Sequence, residues 1–327
     1  MKCILVTGSA GFIGSNLVLR LLESPEPVKV VGLDNLNDYY DPTLKEARLK
    51  LIEGAQFVRG DITDAALLDR LFSEHRFDVV VNLAAQVGVR YSLENPQAYV
   101  DSNVTGFLNV LEACRKHEVK HLVYASSSSV YGINAKVPYA ETDRTDQPVS
   151  PYAATKKCDE LLAHVYSQTY GLCVTGLRFF TVYGPWGRPD MAPMLFAKAI
   201  CAGEPIHVFN HGDMLRDFTY IDDIVEGIVR VMGYAPAVIP GSDRESHYAI
   251  YNIGGSNPVK LTDFISSLEE ALGRKAVQHF LPMQPGDVPT TYADSSALER
   301  DFGFTPKIPL REGLRKFAEW YKQYYQS

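Results

Sequence analysis

Tyr152 and Lys156, in the run Tyr152-Ala153-Ala154-Thr155-Lys156, stand four apart and so share one face of a helix, a turn from each other. A phenol beside a fixed ammonium is a candidate general base. Phenols ordinarily ionise near a pKa of ~10, and a neighbouring positive charge moves that ionisation toward neutrality. About one strand upstream lies a serine cluster, Ser126-Ser127-Ser128-Ser129. Near the N-terminus, Gly8-Ser9-Ala10-Gly11-Phe12-Ile13-Gly14 follows an apolar run and opens a helical one. Glycines so spaced make a tight turn, admit a pyrophosphate to the backbone, and let helix pack on strand; the helix N-terminus adds amide donors. Asp34 closes the next apolar run, 20 residues past Gly14, where a carboxylate accepts from an adenosine ribose and repels a 2′-phosphate. A candidate base and a dinucleotide site thus stand in one chain, with NAD favoured over NADP.

These groups need a scaffold. Lys2 to Val6, Val28 to Leu33, Gln56 to Arg59, Val79 to Leu83, His121 to Ala125 and Val174 to Phe179 read as buried strands. Gly14 to Leu22, Ala65 to Glu74, Asn103 to Lys116 and Tyr152 to Tyr170 read as the helices between them. Continuous apolar strands alternating with helices predict a parallel sheet covered on both faces, which binds ligands at the carboxyl ends of its strands. The fold class is therefore α/β, a doubly wound parallel sheet. After about Phe180, frequent prolines break the chain into short pieces, predicting a smaller second domain over 181–327 beside a first over 1–180. Tyr251-Asn252-Ile253-Gly254-Gly255 keeps strand character, so part of 215–255 is expected back in the main sheet; Gly241 to Ser246 is expected to be an exposed loop.

At 327 residues the chain can bury a large core. Its net charge of −7 offers no basic field for nucleic acid, and no apolar run approaches the ~20 residues that cross a bilayer. Glycines interrupt the apolar N-terminus, which reads as strand and turn rather than a secretory leader. Five scattered cysteines, without paired spacing, fit free thiols in the cytosol and no zinc site, and no metal is expected.

Taken together, Gly8-xx-Gly11-xx-Gly14, Asp61-Ile62, Asn82-Leu83-Ala84-Ala85 and Tyr152-xxx-Lys156 resemble, in order and spacing over nearly the full length, the extended short-chain dehydrogenase/reductases. The resemblance implies a Rossmann-type fold with a C-terminal substrate-binding domain, a tightly held NAD, and a nucleotide sugar in the cleft between. It implies cofactor contacts from Gly8, Gly11, Phe12, Ile13, Gly14, Asp34, Asp61, Ile62, Leu83, Ala84, Ala85, Asn103, Tyr152 and Lys156. Tyr152 would take a sugar hydroxyl proton, Lys156 would hold the nicotinamide ribose, and Ser127, four before Tyr131, would hydrogen-bond the reacting hydroxyl. Dehydratases of this family carry Asp-Glu at the next two positions. Here they are Ser128-Ser129, so elimination of water is disfavoured.

Within the family, Gln86 to Ser92, Arg178 to Met191 and Arg216 to Asp223 are similar to segments of UDP-glucuronate 4-epimerases. Thr181 and Gln284 depart from the Asn and Arg usual in epimerases of neutral UDP-hexoses. The expected reaction is reversible, NAD-dependent inversion at C4 of UDP-glucuronate through a 4-keto sugar. The expected substrate contacts are Ser127, Ser128, Arg90, Thr181, Arg188, Arg216 and Asp287. Arg216 would take the diphosphate, and Arg188 and Arg90 the extra negative charge. Decarboxylation of UDP-glucuronate, epimerisation of a neutral UDP-hexose, and a non-catalytic NAD-binding module are the rivals. Relatives dimerise through paired helices, here Asn103 to Lys116 and Tyr152 to Tyr170, so a homodimer is expected.

Overall fold

The computed structural model describes residues 1–134, 136–236, 247–284 and 287–326. The loop expected at Gly241 to Ser246 lies outside them. Seven strands form the central sheet: β1 (Lys2–Thr7), β2 (Val28–Asp34), β3 (Gln56–Arg59), β4 (Val79–Asn82), β5 (His121–Ser127), β6 (Val174–Phe179) and β7 (Tyr248–Ile253). Their order across the sheet is β7-β6-β5-β4-β1-β2-β3. Every pairing is parallel. The order reverses direction at β1 and β4, whose carboxyl ends therefore flank a crevice.

Alternation along the strands explains why both faces are covered. Ile4, Val6, Val79, Val81, Val123 and Leu177 join the core on one side. Cys3, Leu5, Val31, Leu33, Val80, Leu122 and Val174 join the core on the other. A strand buried on both faces needs no polar residue in its interior, so these strands are nearly continuous apolar runs.

Helix α1 (Phe12–Leu22) packs beside the helix Ile221–Gly233, and Ala65–His75 packs beside Phe107–Lys116. The helix of the Tyr-Lys pair runs Pro151–Tyr170. Ser150 caps it by accepting from the Ala153 amide at 3.1 Å. Pro151 fills its first turn, and Gly171, at φ +68°, ends it. Two helical features differ from expectation. Pro42–Leu51 is a helix that the charge-rich sequence did not announce. The helix expected from Asn103 begins earlier, with a π-helical stretch at Val100–Gly106 that passes into Phe107–Lys116. Within this stretch the buried Asn103 amide is tied to the Gln86 backbone and the Thr155 hydroxyl.

Beyond β6 the chain builds three small two-stranded ladders. Thr181–Tyr183 pairs with Phe218–Tyr220, Leu215–Arg216 with Val259–Lys260, and Pro205–Val208 with Val277–Phe280. The helices Ala192–Ala202, Leu261–Leu272 and Leu310–Tyr325 pack around them. No helix among the described residues is long and apolar enough to cross a membrane.

Candidate active site

A cleft of about 400 Å³ opens at the carboxyl ends of the strands. The glycine turn forms its floor. Gly8 has φ +69°, and a Cβ there would lie 2.8 Å from the Ala84 amide nitrogen; a Cβ on Gly14 would lie 2.0 Å from the Gly8 carbonyl oxygen. Only bare backbone fits, which brings β1, β4 and α1 together at one point. Thr7 fastens the same point: its hydroxyl donates to Asn82 Oδ1 at 2.7 Å and accepts from the Ala84 amide at 3.1 Å.

Helix α1 begins at Gly11 without a side-chain cap, so its first-turn amides face the cleft as anion donors. Asp34 ends β2 at the cleft wall, where it accepts from the Ala10 and Leu36 amides at 3.1 and 2.9 Å. Asp61 accepts from the Asn35 amide, the Thr63 amide and the Thr63 hydroxyl. Burial opposes its ionisation, yet these bonds hold its carboxyl below the usual carboxylate range. Phe12, Ile13, Ile62, Leu83, Ala84 and Ala85 complete this half of the cleft. An uncapped helix end, a cradle that excludes any Cβ, and an acid on β2 suit a dinucleotide such as NAD: diphosphate on the amides, ribose on the carboxylate.

Tyr152, Lys156, Ser127 and Ser128 line the other half of the same cleft. Lys156 is buried and donates to the Ala125 carbonyl at 3.0 Å and to Asp159 at 3.1 Å. Of its three N–H bonds, one remains for the cleft. Ser127 accepts from the Ser129 amide at 3.2 Å and from the Ser129 hydroxyl at 2.9 Å, which leaves its own proton to donate. Ser126 also lines the cleft, but its hydroxyl donates to the buried Glu160 at 2.7 Å. Glu160 also takes a two-pronged contact from Arg178, at 2.7 and 2.9 Å. Arg178 therefore braces β6 against the helix of the Tyr-Lys pair. The Tyr152 ring stands edge-on to Tyr99, with centroids 6.0 Å apart.

Thr181, Arg188, Arg216 and Asp287 also line the cleft. Arg188 makes a fork on Asp190, at 3.0 and 2.5 Å, and Tyr39 donates to the same carboxylate at 3.2 Å. Burial works against the Arg188 charge, but Asp190, Tyr152 and Tyr39 surround it and hold the guanidinium firmly protonated. Arg216 donates to the Leu215 and Pro289 carbonyls, both at 3.0 Å. Burial pulls its affinity for the proton down, and Asp287 and Tyr139 oppose that pull.

Two expected contacts are placed differently. Arg90 stands outside the cleft lining, half exposed, 3.5 Å from Asp287 and stacked on Phe209 at 5.1 Å. It belongs with the Arg216–Asp287 end and not with Arg188. Asn103 is outside the cleft lining and touches it through the Gln86 backbone, its amide being spent on Gln86 and on Thr155. Sequence reasoning missed Tyr39, Asp190, Asp159 and Arg48. Arg48 shares a helical stripe with the buried Leu44, an i,i+4 signal that it faces inward.

The match to known proteins follows the same lines. The model of the NAD dependent epimerase/dehydratase family matches residues 4–254. Protein CapI of Staphylococcus aureus is 49% identical, over 99% of this chain and 99% of its own. A probable UDP-glucuronate 4-epimerase of Rhizobium meliloti is 48% identical, over 98% of this chain and 97% of its own. The crystal structure of UDP-glucuronic acid 4-epimerase from Bacillus cereus, in complex with UDP-glucuronic acid and NAD, is 36% identical. It superposes with a TM-score of 0.91 over 99% of this chain and 100% of that one. With its glycine turn, its Tyr-Lys pair and its sheet order all in the matched span, this chain belongs to the NAD dependent epimerase/dehydratase family.

Proposed function

We propose that this protein interconverts UDP-glucuronate and UDP-galacturonate by inverting C4. The observation that carries the reading is the sharing of one cleft by Tyr152, the hydroxyls of Ser127 and Ser128, and the fixed cation Arg188. A base, donors for the reacting oxygen, and a counter-charge for a carboxylate then converge on one sugar ring. Relatives bearing the name UDP-glucuronate 4-epimerase, and a solved neighbour holding UDP-glucuronic acid and NAD, support the same substrate and cofactor.

Tyr152, as phenolate, takes the proton from the C4 hydroxyl while Ser127 donates to that oxygen. NAD, when bound, supplies the acceptor for the C4 hydride and its return. Lys156 holds the cofactor's ribose with its remaining N–H. The 4-keto sugar turns about its link to the diphosphate, which Arg216 grips, and Tyr152 returns the proton once the opposite face is presented. Hydride and proton both come back, so no electrons leave the site.

The keto sugar is a β-keto acid and loses carbon dioxide when its carboxylate bond aligns with the carbonyl π system. Arg188 and Ser128 hold the carboxylate out of that alignment. Asn103 acts indirectly, by fixing Gln86 at the wall, and Arg90 adds charge at the diphosphate end. The smaller domain over 181–327 carries most of the substrate contacts.

Three further proposals have their own supports. Exposed Leu108, Leu161 and Val165 on the adjacent helices Phe107–Lys116 and Pro151–Tyr170 suit a second copy of the chain, testable by analytical ultracentrifugation. Five free thiols suit the cytosol, testable by fractionation. An activated uronate suits glycosyl transfer into polysaccharide, testable by loss of galacturonate on gene deletion.

Incubating the purified protein with UDP-glucuronate and following the products by carbon-resolved NMR tests the main reading. UDP-galacturonate is the expected product. UDP-pentose with carbon dioxide as the main product would make it a decarboxylase, and turnover of UDP-glucose alone would make it a neutral-sugar epimerase.

A further inference from the structure

Arg48, on the helix Pro42–Leu51, has no exposed surface. Its Nη1 donates to the Ala10 carbonyl at 3.1 Å and the Tyr40 hydroxyl at 2.6 Å. Its Nη2 donates to the Trp186 carbonyl at 2.7 Å and the Gly187 carbonyl at 3.3 Å. Its Nε is buried without a partner. All four acceptors are neutral oxygens, so a full charge is sealed in with no carboxylate among the described residues paired to it. That is costly, and an apolar side chain would fill the same space more cheaply.

What an apolar side chain could not do is join the segments these oxygens come from. Ala10 lies in the glycine turn. Trp186 and Gly187 immediately precede Arg188. Trp186 has φ +64°, a conformation unfavourable for a side chain of its size. Its ring is held from the far side by Trp320 and Tyr324, at 5.3 and 5.0 Å. The loop is thus pinned between the C-terminal helix and the Arg48 fork, whose planar geometry suits several carbonyls at once.

We propose that Arg48 is a positioning residue that sets the register of Arg188 against the dinucleotide turn, and so keeps the sugar carboxylate from leaving as carbon dioxide. The proposal rests on the uronate epimerase reading above. When Arg48 is loosened, Arg188 no longer holds the carboxylate away from the C4 carbonyl. The C5–carboxylate bond then breaks, its electron pair enters the carbonyl system as an enolate, carbon dioxide departs, and solvent protonates C5 to give a 4-ketopentose.

The test measures product partition: UDP-pentose plus 4-ketopentose against UDP-galacturonate, from UDP-glucuronate and the full-length protein. This ratio is a property of each turnover, so a fall in the fraction of folded enzyme does not move it. R48K is expected to raise the pentose share about fivefold, as is typical of two coupled side chains. Arg188→Ala is expected to raise it further, and the double variant to match Arg188→Ala alone, because Arg48 acts through Arg188. A folded R48K with wild-type partition overturns the proposal, as does a double variant in which the two effects multiply. Should R48K fail to fold, Tyr40→Phe weakens the fork by one acceptor and must still raise the pentose share; an unchanged ratio there overturns the proposal too. If wild-type protein does not turn over UDP-glucuronate at all, it is the functional reading that fails.

Discussion

Lys156 and Asp159 form an ion pair at 3.1 Å with side chains only 3% and 2% exposed, one turn along the helix from Tyr152. Asp159 Oδ1 has no partner. Burial pushes the Asp159 carboxyl up to about 7, with Lys156 pulling the other way and Glu160 adding to the rise. In the unfolded chain an aspartate ionises near ~3.9. The folded value is the higher one, so the stability this group contributes is complete below about pH 4 and is lost as pH rises toward 7. Asp159→Asn removes that dependence. Denaturant titrations of both proteins from pH 4 to 8 are expected to show the wild type losing ground to the variant across the window, by at most ~1.4 kcal/mol per pH unit. A difference that stays constant with pH would contradict this.

Tyr152→Phe removes the proposed proton acceptor and leaves the ring edge-on to Tyr99. Turnover of UDP-glucuronate is expected to fall about 10²–10⁴-fold. Binding of NAD and of UDP-glucuronate, followed by calorimetry, is expected to change little. Unimpaired turnover would remove Tyr152 from the chemistry.

Gly14→Ala puts a methyl group where the Gly8 carbonyl already stands, at 2.0 Å. Backbone cannot yield as a flexible side chain can, so the turn must open. A loss of at least ~2 kcal/mol in stability and at least about tenfold in NAD affinity is expected. Equilibrium dialysis with NAD and urea titration measure the two.

Arg188→Ala removes both prongs from the Asp190 carboxylate and leaves the Tyr39 hydroxyl on it. The KM for UDP-glucuronate is expected to rise at least about tenfold, the scale of a lost charge-assisted contact. UDP-glucose, which lacks the carboxylate, serves as the control and is expected to be handled as before. Ser128→Ala is expected to act in the same direction but less strongly, as a neutral donor does.

Glu160→Gln breaks a buried ion pair in which Arg178 makes both prongs and Ser126 and Lys157 add to the carboxylate. Burial resists its ionisation, and Arg178 overrides that resistance to hold the carboxyl below its ordinary range. Stranding the Arg178 charge is expected to cost about 3–5 kcal/mol, read from chemical denaturation. A variant as stable as the wild type would show that the brace is dispensable.

Much of this could be read from the residues alone, and the physics says which part. β1, β2, β4, β5 and β6 were legible because a strand buried on both faces admits little but apolar residues; β3, expected buried, is the sheet's edge, with Gln56 and Arg59 exposed and Phe57 and Val58 half-buried. The glycine turn and the Tyr-Lys pair were legible because each is local, fixed by a spacing along one turn or one helix. The helix Pro42–Leu51 was not, since its buried face includes Lys45 and Arg48, which break the apolar stripe a periodicity argument needs. Arg90 could not be assigned to one end of the cleft, because its partner Asp287 is 197 residues away and the pairing leaves no trace in local pattern. The same holds for Arg48 with Trp186; the return of part of 215–255 to the main sheet follows from the strand character of Tyr251 to Ile253, but its place beside β6 does not. Only the last four residues of the π-helical stretch at Val100–Gly106 fall in the helix expected from Asn103.

Tyr248–Ile253 lies beside Val174–Phe179 although some seventy residues of other structure intervene between them. A ribosome that has delivered only the first 180 residues has therefore made a sheet whose last strand shows bare amides and carbonyls along one side, an adhesive margin for any other chain. Fragments ending there are expected to clump. Gene fusions or exchanges between relatives should place their junction beyond Gly255, so that the sealing strand travels with the half it closes.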